Sequence, residues 1–366
     1  MAKSAIGSVF FDPDEQPSVE QYDALSTLKR DIKNVGLQLR GREARYLVDT
    51  HYQQQDVRKR LGQRILAAEK FGEPNALLRH LYANQLVIEH QSELGLGAFV
   101  RNWKVGRWMQ SIVGLNVLIP AALLAYIDIR CAPTAGQIWR FAGLDPGVRW
   151  WSAAKAKSLV KDVMGKDKKV TDAHMAELAK RVNRKARNLQ NLIKTVYAGK
   201  RTQENVIKAV SSRPWSATLK MVCCGKLATS FVRQAHHKDA YYSHIYYARK
   251  EEFETRNEHG DYAEYAKRRL AGDDGKTPPD KSTEAFKAYK EGMLPKGEID
   301  GRARRIMVKI FTSHLHQVMY EDYHERDAPK PWILEKDPRH TQFIAPPNWP
   351  RDFPGKRLKE FYGAAT

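Results

Sequence analysis

Apolar residues recur at helical intervals along most of the chain, and the pattern predicts a mainly α fold. From Val19 to about Lys70, Val19, Tyr22, Leu25, Ile32, Leu39, Leu47, Val57, Leu61 and Ile65 fall at broadly heptad-like spacing. This predicts a helical hairpin or coiled coil with weak points at Gly36 and Gly41. Such a stripe suits either an intramolecular core or a homodimer seam, and a homodimer through this region is expected. A helix over Leu77 to Ile88 leads to Gly95, Gly97 and the tryptophan-bearing segment Asn102 to Trp108. Gly114, Leu115 and Asn116 then form a tight turn between helices, Ala121 to Ile129 supplies the second helix, and Gly143 to Pro146 stops a third. In such a helix-hairpin-helix element a glycine turn lets backbone N–H groups approach a phosphate, so Asn116 joins the candidate contacts.

Thr171 or Asp172 can cap a helix running to about Val196, with Met175, Leu178, Val182, Leu189, Ile193 and Val196 as its apolar stripe. Further helices are predicted over Trp215 to Gln234, Ala240 to Glu258, Asp261 to Leu270 and Arg302 to Tyr323, with a polar loop at 271–283. The expected organisation is an extended arm at 1–17, a helical or coiled-coil region at 18–100, and a basic nucleic-acid-binding domain at 101–240. A C-terminal helical region at 241–326 and an irregular proline-rich tail at 327–366 follow.

Charge sharpens this picture. The 366 residues carry a formal charge of +20, which attracts polyanions. From Arg149 to Lys238 there are twenty-one Lys or Arg against five acids, so ninety residues hold four fifths of the excess. That segregation marks a binding surface rather than a merely solvated one. On a continuous helix Arg181, Arg184, Lys185 and Asn188 share a face that can track a phosphate backbone. Upstream, Arg149, Trp150 and Trp151 lie beside Lys155 and Lys157, the mixture expected where unstacked bases meet a basic groove, although tryptophans are as readily core. Lys168, Lys169, Arg187, Lys220 and Lys226 complete the basic centre, and Arg302, Arg305 and Lys309 share one face of the long C-terminal helix.

The longest apolar run, Val117 to Ile129, is too short to span a membrane and contains Pro120, so no membrane partner is expected. Nothing at the N-terminus suggests export, and Cys131, Cys223 and Cys224 make neither a disulfide framework nor a zinc knuckle, so a cytoplasmic location is expected. Phosphate-loop, G-x-S-x-G and H-E-x-x-H motifs are lacking. His314, His316 and His324 read as ordinary histidines, so neither a metal nor another cofactor is expected.

The run Gly114 to Pro146, the ATLK of Ala217 to Lys220, the Phe231 and Tyr246 region, and Arg302 to Tyr320 resemble the C-terminal half of DEDD-type, bridge-RNA-guided insertion-sequence transposases. The resemblance covers roughly two thirds of the chain in the family's order, with Asn116 in place of an expected second glycine. The family's nuclease carboxylates have no counterpart here: Asp12 follows a short apolar run, but what comes after it reads as helix. Ser152 is nearest to the family's serine nucleophile, without the surrounding glycines. A chain with the guide-binding half and no nuclease resembles the Tas proteins of tandem interspaced guide RNA systems, and through them the helical Nop domain of box C/D ribonucleoproteins. The resemblance implies a short dual-spacer guide RNA, a DNA target chosen by base pairing, and no catalytic residues. The alternatives are a divergent transposase or recombinase, and a structural ribonucleoprotein component that never touches DNA.

Overall fold

The computed structural model describes residues 19–362 except 149, 166, 168, 183–185, 198, 273–276 and 331–342, with side chains from residue 29. The expected arm at 1–17 lies outside them. The fold is mainly α, and among the described residues no β-strand forms. One parallel bridge joins Trp103 to Lys356.

Three long helices open the chain: α1 (Val19–Gln38), α2 (Gly41–Lys70) and α3 (Ala76–Arg101). The expected break comes at Gly41, which has φ +43. Gly36, however, lies inside α1, and Gly95 and Gly97 lie inside α3. A Cβ on Gly36 would sit 2.4 Å from the Gly95 carbonyl oxygen, so the glycines serve close helix contact rather than helix ends. α2 and α3 form an antiparallel hairpin with a polar seam. His51 meets Ser92 at 2.7 Å, Gln85 donates to Gln54 at 2.7 Å, and Arg58 donates to Glu89 at 2.7 Å. Partly buried pairs of this kind fix register more than they add stability.

The largest hydrophobic cluster takes the base of this hairpin together with α4 (Lys104–Gln110), α5 (Leu118–Tyr126) and α6 (Ala135–Phe141). Later elements close it: α11 (Ala217–Lys220), a π segment (Met221–Leu227), α12 (Ala228–Val232), α13 (Tyr241–Glu258), α16 (Lys296–His324) and α17 (Leu358–Tyr362). Every residue from Ile119 to Tyr126 is buried, which is how an all-round apolar helix satisfies its surface. Pro120 sits in the first turn of α5, where its missing N–H costs nothing. Ile129 falls in a short 3-10 turn instead of prolonging α5.

The described part of the tail packs on this core, and Leu358–Tyr362 forms a helix where an irregular tail is expected. Pro347 accepts from Trp108 Nε1 at 2.9 Å, and Lys356 N–H donates to the Asn102 carbonyl at 2.8 Å. Two smaller clusters stand apart. One is built from α7 (Ala153–Met164), α8 (Asp172–Arg181), α9 (Ala186–Val196) and α10 (Gln203–Ser211). The other joins α14 (Ala263–Ala271), α15 (Glu284–Lys290) and the start of α16. The apolar residues of 101–240 are therefore divided between two clusters.

His314 is buried in the main core. Its Nε2 donates to the Ile344 carbonyl at 2.9 Å, which leaves Nδ1 to accept from the Tyr242 hydroxyl at 2.8 Å. Burial pushes its pKa down to about 4. The folded protein therefore resists a proton that the unfolded chain takes up near pH 6.5, and stability present above that pH is lost as pH falls toward 4. We expect a loss of roughly 3 kcal/mol from this group by pH 4, read from urea midpoints, and a smaller acid loss in His314→Gln. Gly36→Ala should cost about 1–3 kcal/mol in the same assay, because the new methyl meets backbone that cannot yield cheaply; an unchanged midpoint would refute the close-contact reading.

Candidate nucleic-acid interface

The cluster of α7 to α10 is an inserted module whose ends meet. Ser216 N–H donates to the Phe141 carbonyl at 2.9 Å, so the chain enters after α6 and returns beside it before α11. Gly143, at φ +66, ends α6 as expected. A second tie is made by Trp150, whose Nε1 donates to the Ser211 carbonyl at 2.9 Å while Arg213 lies 5.3 Å from the ring centroid. Four short helices hold together because each buries one stripe, Ala156, Leu159, Val160 and Met164 on α7 being an example. Ser152 caps α7, its hydroxyl accepting from Lys155 N–H. Thr171 and His174 make a reciprocal cap at α8.

The module carries fifteen Lys or Arg against five acids between residues 153 and 211. All five acids are already engaged. Asp162 and Glu177 both pair with Arg181, Asp172 pairs with Arg201 at 2.6 Å, Glu204 with Lys208 at 2.7 Å, and Asp167 lies 3.3 Å from His174. The exposed Lys155, Lys157, Lys161, Lys169, Arg187, Lys194 and Lys200 have no acidic partner among the described residues. A surface of unneutralised cations condenses anions, and a polyanion that displaces them gains the entropy of released counterions.

The predicted continuous helix from Thr171 to Val196 is two helices. α8 ends at Arg181, Val182 caps it, and α9 begins at Ala186 and packs back against α8. Arg181 and Asn188, drawn on one shared face with Arg184 and Lys185, therefore lie on different helices. Arg181 is also taken up by two carboxylates. Arg149, Lys168, Arg184 and Lys185 lie outside the described residues. On α9 the exposed positions are Arg187, Asn188, Asn191, Lys194, Thr195 and Val196, the last of which was expected in the apolar stripe, while Leu189 and Ile193 are buried. Arg187, Asn191 and Lys194, at i, i+4 and i+7, make the face the sequence reading missed. Phasing α9 by its own apolar residues would have found it.

The other candidates separate by what they touch. Trp150 is 47% exposed, whereas Trp151 packs on the module core and lines a groove with Lys155, Ser158, Leu159 and Asp162. Asn116 is exposed, and its Oδ1 accepts from Leu118 N–H at 3.3 Å, opening α5. The Gly114 turn is not open to a phosphate. Its carbonyl accepts from Ser230 Oγ, and a Cβ there would lie 3.1 Å from Phe231, so α12 fills the space. Lys226 is half-buried, donates to Gln55 at 2.9 Å and lies over Tyr52, holding α2 to the π segment. Arg302 pairs with Glu298 at 2.7 Å and lies over Tyr262 and Tyr265, which makes it an anchor of the third cluster.

Three candidates distant in sequence do come together at the base of the module. Lys220 lies 4.2 Å from the Trp215 ring centroid, and Lys309 lies 5.0 Å from that of Trp139. Lys220 and the exposed Arg305 both favour the thiolate of Cys224, while burial pushes that thiol up more strongly. Burial also holds the Lys309 ammonium below its ordinary range.

No protein family, curated protein or solved structure matches the chain. Among the described residues no helix is long and apolar enough to cross a membrane, and no group of three or more His, Cys, Asp or Glu could hold a metal ion. His316, like His314, meets a backbone carbonyl, that of Ala132 at 2.8 Å.

Replacing Arg187 and Lys194 together by Glu should weaken nucleic-acid binding at least tenfold. It should also flatten the log Kd against log salt slope by roughly 1.5, as expected for two lost phosphate contacts. Arg302→Gln should leave both quantities unchanged and lower thermal stability instead. Fluorescence anisotropy across a salt series, with thermal melts alongside, separates the two outcomes.

Proposed function

We propose that the chain is an RNA-guided DNA-binding protein without a nuclease of its own, akin to nuclease-lacking Tas proteins of tandem interspaced guide RNA systems. The single observation that carries the nucleic-acid reading is the inserted module, where every acid is engaged and a set of exposed cations is left unpaired. On this reading a short dual-spacer guide RNA binds the module and its base. The DNA target is then chosen by pairing with the guide, so the protein reads shape and charge. The Nop-like layout, a helical hairpin followed by a basic helical region, is supported by the order of α1 to α3 and α7 to α10. We place the protein in the cytoplasm.

The same reading includes a homodimer through the N-terminal helices. The outer part of the α2–α3 hairpin projects beyond the main core, and Leu77, Leu81 and Ile88 form an exposed stripe on α3. An apolar stripe of this spacing is what a second helical hairpin would cover.

The test is to purify the protein from cells holding its native locus and sequence the RNA that accompanies it. One short species with two variable segments between constant boxes is expected, and DNA carrying matching sequence should be retained only with that RNA. Heterogeneous RNA, or none, overturns the guide assignment. Guide binding without DNA retention leaves a structural ribonucleoprotein. Light scattering should give a dimer that becomes a monomer in Leu77→Asp with Leu81→Asp; a wild-type monomer removes the dimer.

A further inference from the structure

A second basic site lies on the main body, away from the module. Lys33 and Leu37 of α1, Ala98 and Arg101 of α3, Asn102, Arg107 of α4, and Gly355 and Lys356 of the tail line a cleft of about 350 Å³. Four of these eight residues are cations and none is an acid. The volume falls in the range of small-ligand sites.

The cleft is built by close backbone contacts at glycines. Gly36 and Gly95 bring the end of α1 against α3, which sets Lys33 and Leu37 beside Arg101. Asn102 Nδ2 donates to the Leu37 carbonyl at 3.0 Å and fixes the floor. On the far wall the tail docks through Lys356, whose N–H donates to Asn102 and whose carbonyl accepts from Lys104 N–H at 3.0 Å. Gly355 has φ +125, and a Cβ there would lie 3.1 Å from the Asn102 carbonyl oxygen, so this approach requires glycine.

Arg107 is positioned within the cleft. Its Nε donates to the Arg101 carbonyl at 2.8 Å, which leaves the two Nη groups as donors. Arg101 is partly buried and, like Lys33, Arg107 and Lys356, pairs with no carboxylate among the described residues. Asp352 of the tail is taken by Lys104 at 3.1 Å. Holding four like charges together around a concave surface is unfavourable unless an anion joins them, and guanidinium forks with an ammonium match phosphate oxygens.

We infer that this cleft is a phosphate-binding site, formed by Lys33, Arg101, Arg107 and Lys356. The phosphate can come from a nucleic-acid backbone or from a free polyphosphate. The first source rests on the nucleic-acid reading above and would extend its contact surface from the module to the body; the second does not depend on that reading.

Two measurements on the full chain decide. Tripolyphosphate should raise the melting temperature of the wild type by about 3 °C, and Arg101→Gln with Lys356→Gln should lose most of that rise. The same double variant should flatten the salt slope for a single-stranded RNA by roughly 1.4 if the backbone is the source. An unchanged slope with a lost melting shift assigns the cleft to free polyphosphate. If RNA binds no form of the protein while the melting shift and its loss persist, the proposed function fails and the cleft stands. No shift in the wild type, or an equal shift in the double variant, together with an unchanged RNA slope, overturns the site.

Discussion

The hydrogen bond from Ser216 N–H to the Phe141 carbonyl closes the base of the module, and the separation of charge from core depends on that closure. Because the chain leaves and re-enters the body at one place, apolar residues such as Val160, Met175, Leu178, Ile193 and Val206 pack among themselves as a cluster of their own. A small cluster is a modest source of stability. Crowding fifteen cations on it adds self-repulsion, and the five engaged acids offset only part of that. The main core, with α5 buried all round, is the larger cluster. The body can therefore be stable while its appendage stays strongly positive.

Much of the fold could be read from the sequence because long helices write their period clearly. α1 and α2, the break at Gly41, α5, α13 and α16 follow from spacing and glycine alone. What failed was phase across short helices. The stripe of Met175, Leu178 and Val182 runs on numerically into Leu189 and Ile193, yet α8 and α9 are separate helices that fold against each other. Two short amphipathic helices with the same inner face imitate one long helix when the linker between them is brief. Glycines misled in the opposite sense. Gly36 reads as a weak point costing about 1 kcal/mol, yet it lies inside α1 and permits a close backbone contact with Gly95.

The candidate site was legible as a region and illegible as a set of residues. Charge density located the module, since density survives any error of phase. It could not separate free cations from committed ones, because that depends on which carboxylate or ring lies opposite in space. Lys226 meets Gln55 across a separation of 171 residues, and Arg302 meets Tyr262 across a gap no periodicity reports. The cleft of Lys33, Arg101, Arg107 and Lys356 was missed for the same reason, its cations being drawn from α1, α3, α4 and the tail.

Partnership, more than exposure, is the useful criterion for ranking these cations. A lysine over an indole, as Lys220 is over Trp215 and Lys309 over Trp139, has already lost part of its water and gained a ring. A phosphate arriving there need not strip a full hydration shell, so such a cation remains available to an anion. A guanidinium held by a carboxylate, as Arg181 is by Asp162 and Glu177, must break a charge-assisted bond before it can bind, and the acids left behind repel the same phosphate. On the proposed function, the cations stacked at the base of the module therefore rank with the unpaired lysines as candidate contacts, while Arg181 and Arg302 are held by carboxylates.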